Sequence, residues 1–339
     1  VLPGLEEASD GPRMVSALSA LLDQPIDACL PTLVRYRSGT RAVVRYTLRN
    51  SIPSAGIYRD TVPYRDTVLY GKIASSSDST RLWTNLATIH HRAAQTPDMP
   101  DVAETVGVIS RLAMVVQHAA TGTPLRDRLF GSAVTQSDAL SALNRAGRHL
   151  AAFHHNGQPP TTVRTLSGDT ASIRTSLSTV SLANAELANR IAMGLDQLDQ
   201  QELDDGALVA SHGSFRADHL LLEDGNYQAA ASRATVIDID GYCAAAPERD
   251  AANLLAFITW KAIRQPEHRA LVALAREAFS AGYRSAGPAL DSDRLRSFLA
   301  VCMLRIAVGR FRNLTVAEWP MVPTLVDTAI AEVTNRTAP

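Results

Sequence analysis

Ser211-His212-Gly213-Ser214-Phe215-Arg216-Ala217-Asp218-His219-Leu220-Leu221-Leu222 and, further on, Val236-Ile237-Asp238-Ile239-Asp240 are the most informative stretches of this 339-residue chain. Each joins an apolar run to a few polar side chains. Apolar flanks draw the backbone into the interior, where a polar group is costly unless it finds a partner. The pattern therefore reads as a built site on a hairpin-like unit. Its strand-like pieces are 207–215, 219–225 and 233–241.

Upstream of this unit the chain changes character once. Up to about Gln117 it is rich in β-branched and aromatic residues. Leu33 to Leu48 holds two such runs around Ser38-Gly39-Thr40, which is a hairpin signal. Asp66 to Ala74 reads as a third strand, and Glu104 to Ala119 as two more with a turn near Ser110-Arg111. Helices are expected over Val15–Leu22 and Ser77–Ala94, and a Pro/Ser/Tyr-rich loop over Asn50–Tyr64. After Gly122-Thr123-Pro124 helical spacing dominates: Ser137–His155 with a Ser-Asp start, Ala171–Val180 and Leu182–Leu203. Beyond Pro247 come Arg249–Arg264, Pro266–Ala286, Ser292–Arg312 and Glu318–Thr334.

Composition excludes several classes. The net charge of −1 argues against a dedicated nucleic-acid binder. Apolar runs are broken by charge before 18 residues, so no membrane span is expected. The N-terminal residues show no secretory pattern, and the three cysteines form no CxxC pair, so a cytoplasmic setting without zinc or disulfides is the expectation. Of 33 basic residues only two are lysines, Lys72 and Lys261. Codon composition explains the shortage, and it makes each retained lysine conspicuous.

The loop His212 to Leu221 resembles the catalytic loop of the aminoglycoside phosphotransferase family, H-G-D-x-x-x-x-N followed by aliphatic residues. Val236 to Asp240, then Pro247 and Asp250-Ala251-Ala252, resembles that family's I-D-x-D/E … G-D-P-x-x-D-L-A. Arg35 to Leu48 resembles its nucleotide-covering hairpin, Gly71-Lys72-Ile73 its lysine strand, Gln117 to Leu125 its hinge, and Leu150 to His154 its L-A-x-L-H helix. The resemblance runs from about Pro31 to Leu255. It implies an α+β, bilobal protein-kinase-like fold with a small β-rich N-lobe and a larger, mainly helical C-lobe. The boundaries follow as a nucleotide-binding lobe over 1–117, a hinge over 118–125, and a catalytic and substrate lobe over 126–339.

The resemblance also implies roles. Lys72 would bind nucleotide phosphates, with Gly39, Arg45, Gln117 and Ala119 shaping the rest of an ATP or GTP site near the lobe junction. Mg²⁺ is a hard cation that prefers carboxylates, so Asp238 is its first candidate, with Asp240 assisting and His219 as a further ligand. On a regular strand Asp238 and Asp240 would share a face. His212 would brace the loop, and Asp250 would tie it down. Read without this context, Asp-x-Asp is a solvated edge, Lys72 a surface lysine, His90-His91 a solvated helix face, and His154-His155 complements a helix dipole. A nucleophile elbow, a P-loop and a GxGxxG run are all absent; Asp66 stands where a P-loop needs glycine.

Three departures stand out. Ser214 replaces the family's catalytic aspartate, His219 its metal-binding asparagine, and Ala245-Ala246-Pro247 its G-D-P. In Ser77–Ala94 the only acid is Asp78, at the start, so no glutamate there partners Lys72, and Glu104, farther off, stays open as a partner. Ser214 cannot be a carboxylate base; it would orient the acceptor, with Asp218 or Asp240 as alternative bases. The expected activity is transfer of a γ-phosphoryl group to a hydroxyl of a small molecule or of a peptide Ser/Thr, as in natural-product pathways. The alternative is a degenerate kinase that binds nucleotide, peptide or partner without turnover. Aminoglycosides are polycations, and the acids that would meet them (Glu202, Asp204, Asp205, Glu267, Glu277, Asp291, Asp293) are not dense. No nucleic-acid or membrane partner is expected, and homo- or hetero-oligomerisation stays open.

Overall fold

The computed structural model describes residues 2–51, 64–201, 203–223 and 233–334; most of the Asn50–Tyr64 segment and Glu202 lie outside these. The chain divides into two compact units, one of 1–91 with 102–121, the other of 92–101 with 122–339.

The first unit begins with α1 (Leu5–Ala8) and α2 (Gly11–Leu22), the latter capped by Asp10, whose side chain accepts from the Arg13 N–H. Strands β1 (Ala28–Arg37), β2 (Arg41–Ser51) and β3 (Tyr64–Ile73) follow, then α3 (Ser76–Ala93). β5 (Thr105–Ile109) and β6 (Met114–His118) come next, after the two-residue β4 (Asp101–Val102), which is not part of their sheet. The sheet order β1-β2-β3-β6-β5 is antiparallel throughout. Alternation decides its faces. Val44, Tyr46, Leu48, Leu69, Ile73, Met114 and Val116 point to a core completed by Met14 and Leu18 of α2. Tyr46 is fully buried, and its hydroxyl donates to the Ala8 carbonyl at 2.9 Å, satisfying the one polar atom it carries inside.

The second unit holds β7 (Thr123–Pro124), α4 (Leu125–Phe130), α5 (Gln136–Asn156), α6 (Leu166–Arg174), α7 (Leu177–Ala183) and α8 (Ala185–Asp199). Four short strands follow: β8 (Val209–Ser211), β9 (Leu220–Leu222), β10 (Ala234–Val236) and β11 (Cys243–Ala245). The rest is α9 (Pro247–Arg264), α10 (Arg269–Arg284), α11 (Ser292–Arg312) and α12 (Val322–Thr334). β9 pairs with β10 and β7, and β8 with β11, all antiparallel. The middle of α11, residues 297–304, is buried on every side, as a helix segment enclosed by others must be, and the helix packs against α9 and α12. α5 and α10 approach backbone to backbone: a Cβ at Gly147 would overlap the Phe279 carbonyl, and one at Gly282 that of Asn144. Among the described residues no helix is long and apolar enough to cross a membrane.

Several expected boundaries shift for local reasons. α5 starts at Thr135, not at a Ser-Asp cap: the Thr135 hydroxyl accepts from the Asp138 N–H, and the Asp138 carboxylate reaches back to Thr135. The two helices expected over 171–203 are three: α6 ends at Arg174 and α7 starts at Leu177, while the break expected near 181 falls at Asn184, which caps α8 by accepting from the Leu187 N–H.

Candidate functional site

The loop after β8 is held on both sides of its peptide groups by consecutive residues of α9. Asp250, fully buried in the first turn, accepts from the Ser211 hydroxyl (2.9 Å), the His212 N–H (2.6 Å) and the Gly213 N–H (3.0 Å). Arg249, equally buried, donates Nη1 to the Gly213 carbonyl at 2.8 Å. Its other nitrogens clasp Asp169 of α6 at 2.7 and 3.2 Å, a bidentate pair. Asp250 also accepts from His154 Nε2 at 3.3 Å, and His154 Nδ1 meets the Tyr283 hydroxyl at 2.8 Å. Burial alone would raise the Asp250 pKa; the hydrogen bond from His154 and the charges of His154, His212 and Arg249 reverse this and hold it well below the carboxylate range.

Two stacked imidazoles line the other side of the loop. Their centroids are 5.6 Å apart, with 17° between planes. His212 Nε2 donates to the Ile237 carbonyl at 2.9 Å, which can only accept, so the proton sits on Nε2. Nδ1 is then a buried acceptor without a partner among the described residues. His219 Nδ1 donates to the Ser214 carbonyl at 2.8 Å, leaving the Nε2 lone pair to accept from Arg216 Nη2 at 2.8 Å. That Nε2 lies 3.5 Å from Asp238 Oδ2. Burial lowers both pKa values. His219, also opposed by His212 and Arg216, is pushed down to about 3.

Asp238 does not sit on a regular strand. β10 ends at Val236; Asp238 takes a left-handed conformation (φ 60°, ψ 45°) and begins a 3₁₀ turn over Ile239–Gly241. The expectation that Asp238 and Asp240 share a strand face is therefore corrected. A left-handed non-glycine residue stores strain, and such residues cluster at functional sites. Ser214 is half-buried. Asp218, expected as an alternative base, pairs with Arg126 Nη1 at 2.9 Å, while the Arg126 N–H donates to the Ala217 carbonyl. Its carboxylate thus fastens the start of α4 to the loop.

In the first unit, register places the remaining expected residues. Lys72 of β3 stands opposite Val43 and Val115; one step along, Arg45, Tyr70 and Gln117 are aligned. Arg45, Lys72 and Gln117 therefore share the sheet face opposite the α2 core. Gln117 is buried, and its Nε2 donates to the Ala103 carbonyl at 3.0 Å. The Ala119 N–H donates to Val68 and that of His118 to Glu104, so these two donors serve the unit's own backbone. Gly39 holds the hairpin turn with φ 67°, and nothing lies within 4 Å of an added Cβ, so it is needed for conformation and not for close approach. Asp78, the acid of α3, is engaged at the helix start by Ser75 and Arg81.

No family model matches the sequence, and no curated protein does. Solved structures do match. A candidate aminoglycoside phosphotransferase from Ralstonia eutropha is 14% identical, with 95% of this chain and 99% of that one covered and a TM-score of 0.59. A spectinomycin phosphotransferase complexed with ADP and spectinomycin is 12% identical over 95% and 98%, with a TM-score of 0.56. A thermostable mutant of a third aminoglycoside phosphotransferase, in a ternary complex with ADP and hygromycin B, is 14% identical over 95% and 99%, at 0.55. This chain has the aminoglycoside-phosphotransferase-like kinase fold.

Within that kinase fold the metal expectation narrows. Among the described residues no three His, Cys, Asp or Glu side chains gather to hold an ion. The expected ligands Asp238, His219 and Asp240 do not form such a group of three. His219 offers nitrogen, which Mg²⁺ disfavours, and its lone pair already accepts from Arg216. The expected oxygen-donor set is Asp238 with Asp240, both half-buried. A single Mg²⁺ fits it, because that ion commonly takes one or two carboxylates and completes its shell with phosphates and water.

Three residues of the loop's support were not found from sequence. Arg249 lies beside Asp250, and its only signal is the small side chains of Ala252 and Ala256 on the same helix face, which leave room for a long one. Asp169 and Tyr283 carry no sequence signal. His154, read as a helix-end residue, is instead a buried link between Asp250 and Tyr283.

Proposed function

We propose that the chain is a nucleotide-dependent phosphotransferase that moves the γ-phosphoryl group of ATP or GTP to a hydroxyl of a small molecule or of a peptide Ser/Thr. The observation that carries this reading is the loop Ser211–His219, locked by Asp250 and Arg249, with Asp238 held in a strained conformation beside His219. Phosphoryl transfer asks little covalent chemistry of a protein and much positioning and charge. The acceptor oxygen bonds to the γ-phosphorus, the bond from that phosphorus to the β–γ bridging oxygen breaks, the nucleoside diphosphate leaves, and the hydroxyl proton passes to solvent. In a loose transition state this proton leaves late, so a hydrogen bond from Ser214 can orient the acceptor without a carboxylate. Asp238 would hold Mg²⁺, which when bound neutralises phosphate charge. Residues 1–117 would form the nucleotide lobe, 118–125 the hinge and 126–339 the acceptor lobe. The neighbouring structures hold spectinomycin and hygromycin B; a small polyhydroxylated acceptor is the first class to assay, and a precursor peptide the second.

Asp238→Asn tests the reading. Transfer of ³²P from labelled nucleotide to an acceptor should fall at least a hundredfold, with an unchanged circular dichroism spectrum and melting temperature. Full activity in this variant would remove the site. A second reading, a kinase fold that binds nucleotide without transfer, is favoured by one observation: the His219 lone pair is engaged by Arg216. It predicts a thermal shift with ATP but no labelled product from any acceptor.

A further inference from the structure

The helical unit holds a cavity of about 370 Å³, large enough for a small organic molecule. Its walls come from α6, the end of α8 and the chain at Leu203–Asp205. Asp205 draws that chain to the start of α6. Its carboxylate accepts from the Leu166 N–H at 2.8 Å, a helix-start donor that no intrahelical carbonyl reaches. Farther along, Arg174 donates to Asp196 and Asp199, each at 2.7 Å, and ties α6 to α8. Thr170 adds a hydrogen bond to Asp199 at 3.0 Å. Leu166 and Leu198, both buried, make part of the lining apolar, and Ala171 offers only a methyl group there. The cavity is not the loop site. β8 runs from Val209 to Ser211 into the loop, and Asp205 precedes its other end. On α6 the lining residues Leu166, Thr170 and Arg174 are spaced by four and share one side of the helix. Asp169, which clasps Arg249, is turned about 130° from the middle of that side.

Charge and lining together define a ligand. Asp196, Asp199 and Asp205 meet one base here, Arg174, which the first two share. Both oxygens of Asp199 are engaged, one by Thr170 and one by Arg174. Asp205 has no ion pair among the described residues, and its hydrogen bond from Leu166 uses one oxygen only. A half-buried carboxylate without a counter-ion favours a cation that can donate to it. The apolar side chains beside it favour a ligand with an apolar body. A polyhydroxylated polycation does not suit them, because hydroxyls facing Leu166 and Leu198 would lose their partners. We infer that this cavity binds a small primary amine with an aromatic or alkyl body, its ammonium on Asp205 and its body on Leu166, Leu198 and Ala171. The site backs the helix that clamps the loop through Asp169 and Arg249. It is separate from the acceptor site of the phosphotransfer reading and does not depend on it.

Calorimetric titration of the full chain with phenethylammonium, phenethyl alcohol and phenylacetate tests it. The expected result is saturable binding of the ammonium, binding of the alcohol about tenfold weaker for want of a charged hydrogen bond, and none of the carboxylate. Asp205→Asn keeps an oxygen for the Leu166 N–H and removes the charge. It should weaken the ammonium about tenfold, with the alcohol and the melting temperature unchanged. Ala171→Phe, a change at an exposed position, fills the cavity and should abolish binding of both. It leaves Asp205 in place, so it decides the matter even where Asp205→Asn melts lower. Asp238→Asn should bind the ammonium as the wild type does. No binding of the ammonium by the wild type, or equal binding of ammonium and alcohol, overturns the inference. Full affinity in a folded Asp205→Asn or in Ala171→Phe does the same. Affinity lost in Asp238→Asn but kept in Ala171→Phe places the amine at the loop and also overturns it. The phosphotransfer reading stands or falls separately, on transfer of label.

Discussion

A methyl group at Gly213 would overlap the Gly241 carbonyl oxygen, and the residue already has φ 79°. The loop and the 3₁₀ turn after Asp238 therefore press together backbone to backbone, and no L side chain fits between them. Gly213→Ala should cost about 2 kcal/mol or more in urea unfolding, from left-handed strain and overpacking, and should abolish transfer. A variant with unchanged stability would show that the loop can yield. Asp169 carries a second prediction. Burial alone would raise its pKa, but the hydrogen bonds from Arg249 and the charges of Arg249, Arg305 and Arg164 reverse this and depress it. An acid depressed in the folded state stabilises above its unfolded pKa, about 3.9, and that stabilisation is lost as pH falls through the folded value. Asp169→Asn leaves the buried Arg249 charge unpaired and should cost about 3–5 kcal/mol at pH 7. The gap between wild type and variant should narrow on acidification from pH 5 to pH 3, and a constant gap would exclude an ionic origin.

At the level of elements, α5 shows how far pattern reading reaches. Its apolar spacing gave its length and its buried face. Its start was misplaced because Asp138 is the third helical residue, with a carboxylate that folds back on Thr135. Thr135→Ala removes the hydroxyl half of this box, leaving the backbone N–H of residue 135 to the Asp138 carboxylate, and should cost about 1 kcal/mol, read as a lower urea midpoint at unchanged slope. An unchanged midpoint would mean that packing against α10 alone holds the helix start. The hairpin β1–β2 was legible from Ser38-Gly39-Thr40, but its bulge between Leu33 and Arg35 was not, since a bulge is a property of the pair and not of either strand. The same holds for Asp238: Val236 to Asp240 alternates as a strand should, yet the chain leaves the strand after Val236, where Ile237 donates its N–H to His219 and accepts from His212.

For the whole molecule, a ligand that binds only the folded state stabilises it by mass action. ATP at a hundred times its dissociation constant should add about 2.7 kcal/mol, seen by calorimetry as a higher melting temperature. Absence of any shift with ATP or GTP would count against both functional readings. The order of elements, the loop motif and the conspicuous Lys72 were determined by sequence, because strand and helix periods and turn residues act over a few positions. The tertiary structure decided the rest. Arg249 meets Asp169 across 80 residues, and His154 meets Tyr283 across 129. Arg35 and Arg37 join the sheet face of Arg41, Arg45 and Arg49 only through the bulge in β1. Such partners are chosen by packing and register, which no short window of sequence contains.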